Sequence, residues 1–190
     1  MRRRKSAKAR CSVLYSLENH DFQYGDEYFS ETAFTEYLPR LYEITSADSY
    51  QILEYDDLII FTANDKNNQI SKETLAGFKS ILSKEKPVVL VLHVPLEPLI
   101  ENTTLLEDTI NVWGPSDKGN SRVIIGEHGC KPKKPTKEFI KLVTAEDSPV
   151  KLILVGHIHF YHKDYVTDNI PQLITGTAFQ KNAVFVQLKP

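Results

Sequence analysis

Three histidines in this chain follow two apolar runs. The run at 88–92 ends in His93, and the run at 150–155 leads through Gly156 into His157 and His159. Each run is short, rich in β-branched and aliphatic residues and preceded by proline, which is typical of a buried strand. In open α/β sheets the functional crevice lies beyond the carboxyl ends of the strands. The pattern therefore predicts a metal site at that edge, since imidazole is a common metal ligand.

The tetrapeptide at 156–159 sets two imidazoles two residues apart, just past a predicted strand. An extended backbone would direct both rings to the same side of the chain. Gly156 suits a sharp turn or a close approach of backbone to an ion. His93 is followed by Pro95, which ends its strand. A single histidine at such a position is also commonly a packed or capping residue, and that alternative stays open.

A second group of polar side chains follows an earlier apolar segment. Asn19, His20 and Asp21 supply an amide oxygen, an imidazole and a carboxylate in succession. An amide oxygen is a hard ligand suited to Mn, Mg or Fe ions, and a histidine oriented by a carboxylate can act as a general acid. The alternative is an Asx-type turn without a ligand.

Strand and helix patterns alternate along the chain, which predicts an α/β fold. Residues 94–135 form the longest stretch without a pattern and are expected to wall a substrate pocket. Ser71 is a predicted helix N-cap, and Pro39 is expected to break or kink its helix. The predicted elements are a strand at 13–17, a helix at 27–44, a hairpin of strands at 50–55 and 58–61, a helix at 71–85, a strand at 88–93, a helix at 136–146, a strand at 150–157, and strands at 171–175 and 183–188.

Composition fits one globular domain. The chain has 190 residues, of which 41% are hydrophobic and 25% charged. No apolar stretch approaches the roughly 20 residues needed to cross a bilayer, so we expect no membrane-spanning segment. Cys11 and Cys130 are too few for a disulfide framework, which favours a reducing compartment and a cytoplasmic location.

Positive charge is concentrated at the start of the chain. Residues 1–10 contain six of the 23 lysines and arginines, while the whole chain carries a net charge of −2. We expect residues 1–11 to be a disordered basic leader and residues 12–190 to be the folded domain. The leader is short, lacks aromatic residues and precedes an acidic body, which argues against nucleic acid as the partner. Salt-dependent nucleic-acid binding through the leader remains the alternative.

Three ordered blocks of residues resemble a known family. Asn19-His20-Asp21, His93 at a strand end and the Gly-His-x-His at 156–159 are similar to the last three blocks of the calcineurin-like metallophosphoesterases. The family pattern runs Asp-x-His, Gly-Asp, Gly-Asn-His-Asp/Glu, His and Gly-His-x-His. The match extends from residue 13 to the C-terminus. It implies a β-sandwich flanked by helices that hydrolyses phosphate mono- or diesters.

The resemblance also implies roles for these residues. Asn19, His93 and His157 match the ligands of one divalent ion, and His159 matches a ligand of a second ion. His20 matches the histidine that protonates the leaving oxygen, with Asp21 as the carboxylate that orients it. The ions in such sites are Mn, Fe, Mg or Zn, and two of them can clamp a phosphate and lower the pKa of a bridging water.

The sequence departs from the family at its first two blocks. The eighteen residues before Asn19 contain neither aspartate nor histidine, and Glu18 stands where the family has glycine. These departures predict an N-terminally truncated phosphoesterase domain that holds at most one ion and has impaired activity. Its strand at 13–17 would then leave an open apolar edge through which copies self-associate. The alternative function is an inactive remnant that binds a single ion or a partner.

Three further sites in the sequence carry conspicuous side chains. Trp113 is either a flat surface for an organic leaving group or a buried anchor for the long loop. His128 is a candidate for a substrate loop. His162 and Asp164 could reach substrate, but a solvent-facing hairpin is the favoured interpretation.

Overall fold

The computed structural model of the chain describes residues 12–17, 31–65, 68–114 and 123–188, with backbone alone for 31–34. The described elements alternate between helix and strand, which confirms the predicted α/β class. The helices are α1 (Glu31–Thr45), α2 (Lys72–Leu82), α3 (Leu105–Trp113) and α4 (Lys134–Val143), with a short 3₁₀ turn at Ala178–Gln180. The strands are β1 (Tyr50–Glu54), β2 (Ile59–Ala63), β3 (Val88–Val91), β4 (Val150–Val155), β5 (His162–Thr167) and β6 (Ile170–Ile174).

The six described strands form one mixed sheet in the order β1-β2-β3-β4-β6-β5. The four inner strands β2, β3, β4 and β6 are parallel, and the edge strands β1 and β5 each form an antiparallel hairpin with their neighbour. The inner strands are apolar runs because a parallel sheet is covered on both faces. As a consequence, the carboxyl ends of β2, β3 and β4 lie side by side at one edge.

Helix α2 packs on the sheet as predicted. Its N-cap is Ser71, whose Oγ accepts a hydrogen bond from the amide of Thr74 at 3.0 Å. The rings of Phe61 on β2 and Phe78 on α2 have centroids 5.4 Å apart, and Phe139 on α4 lies 4.8 Å beyond Phe78. All three side chains are fully buried, so this row of contacting rings joins the sheet to both helices.

The region at 94–135 is not irregular throughout, because it contains helix α3. Leu105 and Thr109 are buried one turn apart on this helix, and the Thr109 hydroxyl donates to the Leu105 carbonyl at 2.6 Å. The prolines and glycines that suggested a loop lie outside the helix, for example Gly114 at its C-cap. The helical pattern of α3 spans only nine residues, so the prolines and glycines on both sides of it obscure it in the sequence.

Two predicted strands are wrong. Residues 13–17 run beside the first hairpin without entering the sheet: the Tyr15 amide donates to the Gln51 side chain and the Ser16 hydroxyl donates to the Ala63 carbonyl. Residues 183–188 also lie outside any ladder, and Phe185 is 93% exposed. Within the described sheet, the edge strands β1 and β5 each keep a free side, but the contacts of residues 13–17 with the hairpin run through the side chains of Gln51 and Ser16, so no backbone pairing forms there. The apolar edge predicted at 13–17 is therefore not an edge strand of this sheet.

The helix predicted at 27–44 is confirmed over its described part, but it is not broken at Pro39. Helix α1 continues through Pro39, which is exposed. Helix α4 begins two residues before the predicted position, with Pro135 in its first turn, where a missing N–H removes no helical hydrogen bond. Of the helices in the described ranges, the longest has 15 residues, and none is long and apolar enough to cross a membrane.

Candidate functional site

The site begins with the register of β3 and β4. Leu92 donates its amide to the Leu154 carbonyl at 3.0 Å, and Gly156 donates to the His93 carbonyl at 3.1 Å. This pairing places His93 and His157 at the same level, just beyond the two carboxyl ends. Nε2 of His93 lies 2.7 Å from Nδ1 of His157, with the ring centroids 4.6 Å apart. The structure thus brings together two of the predicted ligands from 64 residues apart in the chain.

Two imidazole nitrogens at 2.7 Å share a single proton, because one must donate and the other must accept. A divalent cation can replace that proton, since each neutral ring can offer it a lone pair. Two ligand nitrogens on one tetrahedral ion, each at about 2.1 Å from it, lie about 3.4 Å from one another. The observed pair, at 2.7 Å, therefore needs to open by about 0.7 Å to bind a common ion.

The backbone of the Gly-His-x-His segment is not extended. His157 and His159 both have φ of 66°, the left-handed region, so the condition under which both rings would point to the same side is not met. Ile158 between them is fully buried, and its amide donates to the Gly156 carbonyl at 2.8 Å. Each left-handed residue costs about 1 kcal/mol or more. Such strain clusters at functional sites, where packing of a neighbour such as Ile158 maintains it.

His159 consequently has other neighbours than His157 has. Its ring makes edge contacts with Trp113, at 5.3 Å between centroids, and with Phe179, at 5.8 Å. The indole N–H of Trp113 donates to the Ile158 carbonyl at 2.9 Å. Trp113 is therefore an anchor of α3 on this loop, yet it remains 41% exposed rather than buried.

Asp65, which follows β2, belongs to the site but is not among the residues predicted from the sequence. Its side chain is 1% exposed, and Oδ2 accepts hydrogen bonds from the amides of His93 at 3.1 Å and Val94 at 2.7 Å. Burial raises the pKa of Asp65 to about 6, although the nearby His93 ring and the two amides oppose the rise. Oδ1 is buried without a hydrogen-bond partner in the described part of the chain. The sequence signal for Asp65 is its position after the apolar run at 58–61. The parallel pairing of β2 with β3 is what brings Asp65 next to His93.

The described side chains fit a divalent ion in part. His93 and His157 supply two convergent nitrogens, donors suited to Zn, Fe or Mn, and within the described ranges Asp65 contacts this pair only through the backbone amides of His93 and Val94. Among the described residues, no group of three or more histidine, cysteine, aspartate and glutamate side chains is arranged to hold a metal. The predicted residues Asn19, His20 and Asp21 lie outside the described residues.

His162 and Asp164 lie on the hairpin of β5 and β6, but they do not face solvent as predicted. Their side chains are 10% and 11% exposed, and His162 lies between Asp108 of α3 at 3.2 Å and Asp164 at 3.4 Å. Burial tends to raise the pKa of Asp164, but hydrogen bonds from Thr103, the Tyr165 amide and His162 outweigh it and lower that pKa. This cluster fastens α3, and hence Trp113, to the sheet.

His128 lies on the wall of a separate apolar cavity of about 520 Å³ between the segment after β3 and helix α4. Its ring and its amide both bond the Glu97 carboxylate, and this partner raises the pKa of His128. Gly126 makes the arrangement possible, because a Cβ there would overlap the Glu97 side chain. The cavity is lined by residues of the region that was expected to wall a pocket.

No protein-family model and no curated protein matches the chain in sequence. The interpretation of the site therefore depends on its own geometry and on the residues that meet there. The resemblance to calcineurin-like enzymes stays a prediction at this point.

Proposed function

We propose that the chain carries a calcineurin-like metallophosphoesterase site, which hydrolyses phosphate mono- or diesters with a divalent ion bound by His93 and His157. The observation that supports this proposal is the 2.7 Å approach of the two imidazoles beyond the carboxyl ends of adjacent parallel strands. Ligand sites of open α/β sheets lie at this edge. We also propose the finer fold that the resemblance implies, a β-sandwich flanked by helices. The six described strands would form one of its two sheets.

The residues of the chain would divide the work as follows. His93 and His157 would hold Mn, Fe, Mg or Zn, and His159 would face the second ion or the substrate. Asp65 accepts hydrogen bonds from the amides of His93 and Val94, so the backbone that carries the His93 ring is held in place before an ion binds. A bound divalent ion would supply charge neutralisation of the phosphate and a water of lowered pKa.

The remaining roles come from the family pattern. Asn19 would complete the ligands of the first ion, and His20, oriented by Asp21, would donate a proton to the leaving oxygen of the ester. A proton donor of this kind contributes about 10²- to 10⁴-fold to a rate.

Metal binding is the first test. We expect calorimetric titration of the full chain with Mn²⁺ or Zn²⁺ to show saturable binding, and His157→Ala or His93→Ala to weaken it by about a hundredfold or more, since each removes a direct ligand. His128→Ala is the matched control, because His128 is an exposed histidine bonded to Glu97 and should bind as wild type. Equal affinities for wild type and His157→Ala would refute the proposed site.

Turnover is the second test. Hydrolysis of p-nitrophenyl phosphate and bis(p-nitrophenyl) phosphate should require the added ion. His20→Ala should lower kcat by about 10²-fold or more while calorimetry shows the ion still bound. Loss of ion binding in His20→Ala would instead make His20 a ligand.

A second candidate function is binding of a single ion without hydrolysis. It is favoured by the number of donors, because the described residues bring together two imidazoles and no group of three ligand side chains. Saturable binding of one ion per chain, with no turnover of either ester at saturating Mn²⁺, would select this function over the first.

A further inference from the structure

Three aromatic rings stand next to the candidate ion ligands: His159, Trp113 at the end of α3, and Phe179 in the 3₁₀ turn. We propose that this ring cluster binds the aromatic group of a phosphoester substrate, an aryl group or a nucleobase, by stacking. The inference rests on the proposed function only in treating the bound ligand as a substrate. Binding of a ring to the cluster can be measured without hydrolysis.

The cluster is open to solvent. Phe179 is 76% exposed, Trp113 is 41% exposed, and His159 is also exposed. Both neighbours meet the His159 ring at steep angles, 61° for Trp113 and 87° for Phe179. An edge-to-face contact covers one face of one ring, so the exposed rings of Trp113 and Phe179 can receive a further ring.

The cluster is also fixed in place. The Trp113 indole donates to the Ile158 carbonyl at 2.9 Å, and α3 is tied to β5 through Asp108 and His162. Trp113 therefore keeps its position without a ligand, which reduces the entropy lost on binding. A ring that is held in place and exposed at the surface can stack on the ring of a ligand.

The ring cluster and the ion ligands adjoin along the chain. His157 and His159 are two residues apart, so their Cα atoms are separated by at most about 7 Å. A phosphate bound at His157 would leave its organic group within reach of the ring at His159. Stacking recognises the flat face that all bases and aryl groups share, so the site should accept both classes of ring.

Fluorescence provides a direct test, because Trp113 is the sole tryptophan of the chain. The full chain in EDTA is titrated with adenosine 5′-monophosphate, with phenyl phosphate and with ribose 5-phosphate. We expect the two ring-bearing ligands to quench Trp113 saturably and ribose 5-phosphate to leave it unchanged. Quenching by either ring-bearing ligand supports the proposal, and the two arms show which kind of ring binds more tightly. Equal quenching by ribose 5-phosphate, or none by either ring, overturns it.

Variants assign the effect to the cluster. Phe179→Ala should weaken binding of adenosine monophosphate by about fivefold or more, and Phe179→Tyr, which keeps the ring, should bind as wild type. By equilibrium dialysis, Trp113→Ala should lose most of the affinity and Trp113→Phe should retain part of it. The control is Tyr55→Ala, because Tyr55 is 48% exposed in the turn after β1, at the opposite end of the sheet. Wild-type affinity in Phe179→Ala and Trp113→Ala would refute the proposal.

The two proposals fail separately. Ring binding in EDTA that persists when Mn²⁺ binds nowhere would support the ring site and reject the phosphoesterase. Ester hydrolysis with Mn²⁺ but equal kcat/KM for phenyl phosphate and ethyl phosphate, unaffected by Phe179→Ala, would support the phosphoesterase and reject the ring site.

Discussion

Two histidine clusters of this protein differ in what faces the imidazole. His93 and His157 face each other at 2.7 Å beyond the carboxyl ends of β3 and β4. His162 faces two carboxylates, those of Asp108 and Asp164, between α3 and β5. A histidine between carboxylates is stabilised by its own partners and fastens two elements. Two imidazoles that share one proton can both turn a lone pair to a cation, so the first cluster is suited to bind an ion and the second to hold a helix.

The largest effect should separate the clusters by their response to metal. An ion at a hundredfold excess over its dissociation constant stabilises the folded state by about 2.7 kcal/mol. We expect Mn²⁺ or Zn²⁺ to raise the melting temperature of wild type and of His162→Gln, and to leave His93→Ala and His157→Ala unchanged, as measured by scanning calorimetry. An equal metal-induced rise in His157→Ala would end the distinction between the clusters.

The next effect concerns Asp65, which supports only the first cluster. Asp65→Ala leaves the buried amides of His93 and Val94 without an acceptor, so it should lower the free energy of unfolding by about 2 kcal/mol in urea titrations. Asp65→Asn keeps an oxygen for both amides and should cost less. If Asp65→Ala unfolds at the wild-type urea concentration, Asp65 does not position His93.

A smaller loss is expected at the second cluster. His162→Gln replaces a ring that bridges two carboxylates, and we expect the free energy of unfolding to fall by about 1 kcal/mol without added metal. Calorimetric affinity for Mn²⁺ should stay at the wild-type value. Loss of Mn²⁺ binding in His162→Gln would show that the two clusters act as one.

The smallest effect is a pH dependence. The pKa of Asp164 is lower in the folded protein than its ordinary value of 3.8, so its ionised form stabilises the fold above that pH. This contribution is lost as the pH falls below 3.8 through the folded value, because the folded state then binds the proton as well. Urea titrations between pH 5 and pH 3 should show a shallower loss of stability in Asp164→Asn than in wild type. Identical pH profiles would exclude the contribution.

Most of the regular elements could be predicted from the sequence. Apolar runs entered through proline marked β3 and β4, two short strand patterns at 50–55 and 58–61 marked the first hairpin, and Ser71 marked the start of α2. These signals are local, because the spacing of apolar residues and the capping residues each act within one helix or strand. The strands predicted at 13–17 and 183–188 are wrong because an apolar pattern is local, whereas a strand also needs backbone pairing with a neighbour, which neither segment makes.

The positions of His93 and His157 at strand ends follow from local sequence, because the residues before them favour buried strands. The polar groups that join them depend on how distant strands pair. Asp65 reaches His93 because β2 lies parallel to β3, and no local pattern states which strands are neighbours. His159 turns to Trp113 and Phe179 because buried Ile158 helps to hold a left-handed backbone, and the sign of φ at those histidines depends on packing rather than on residue type.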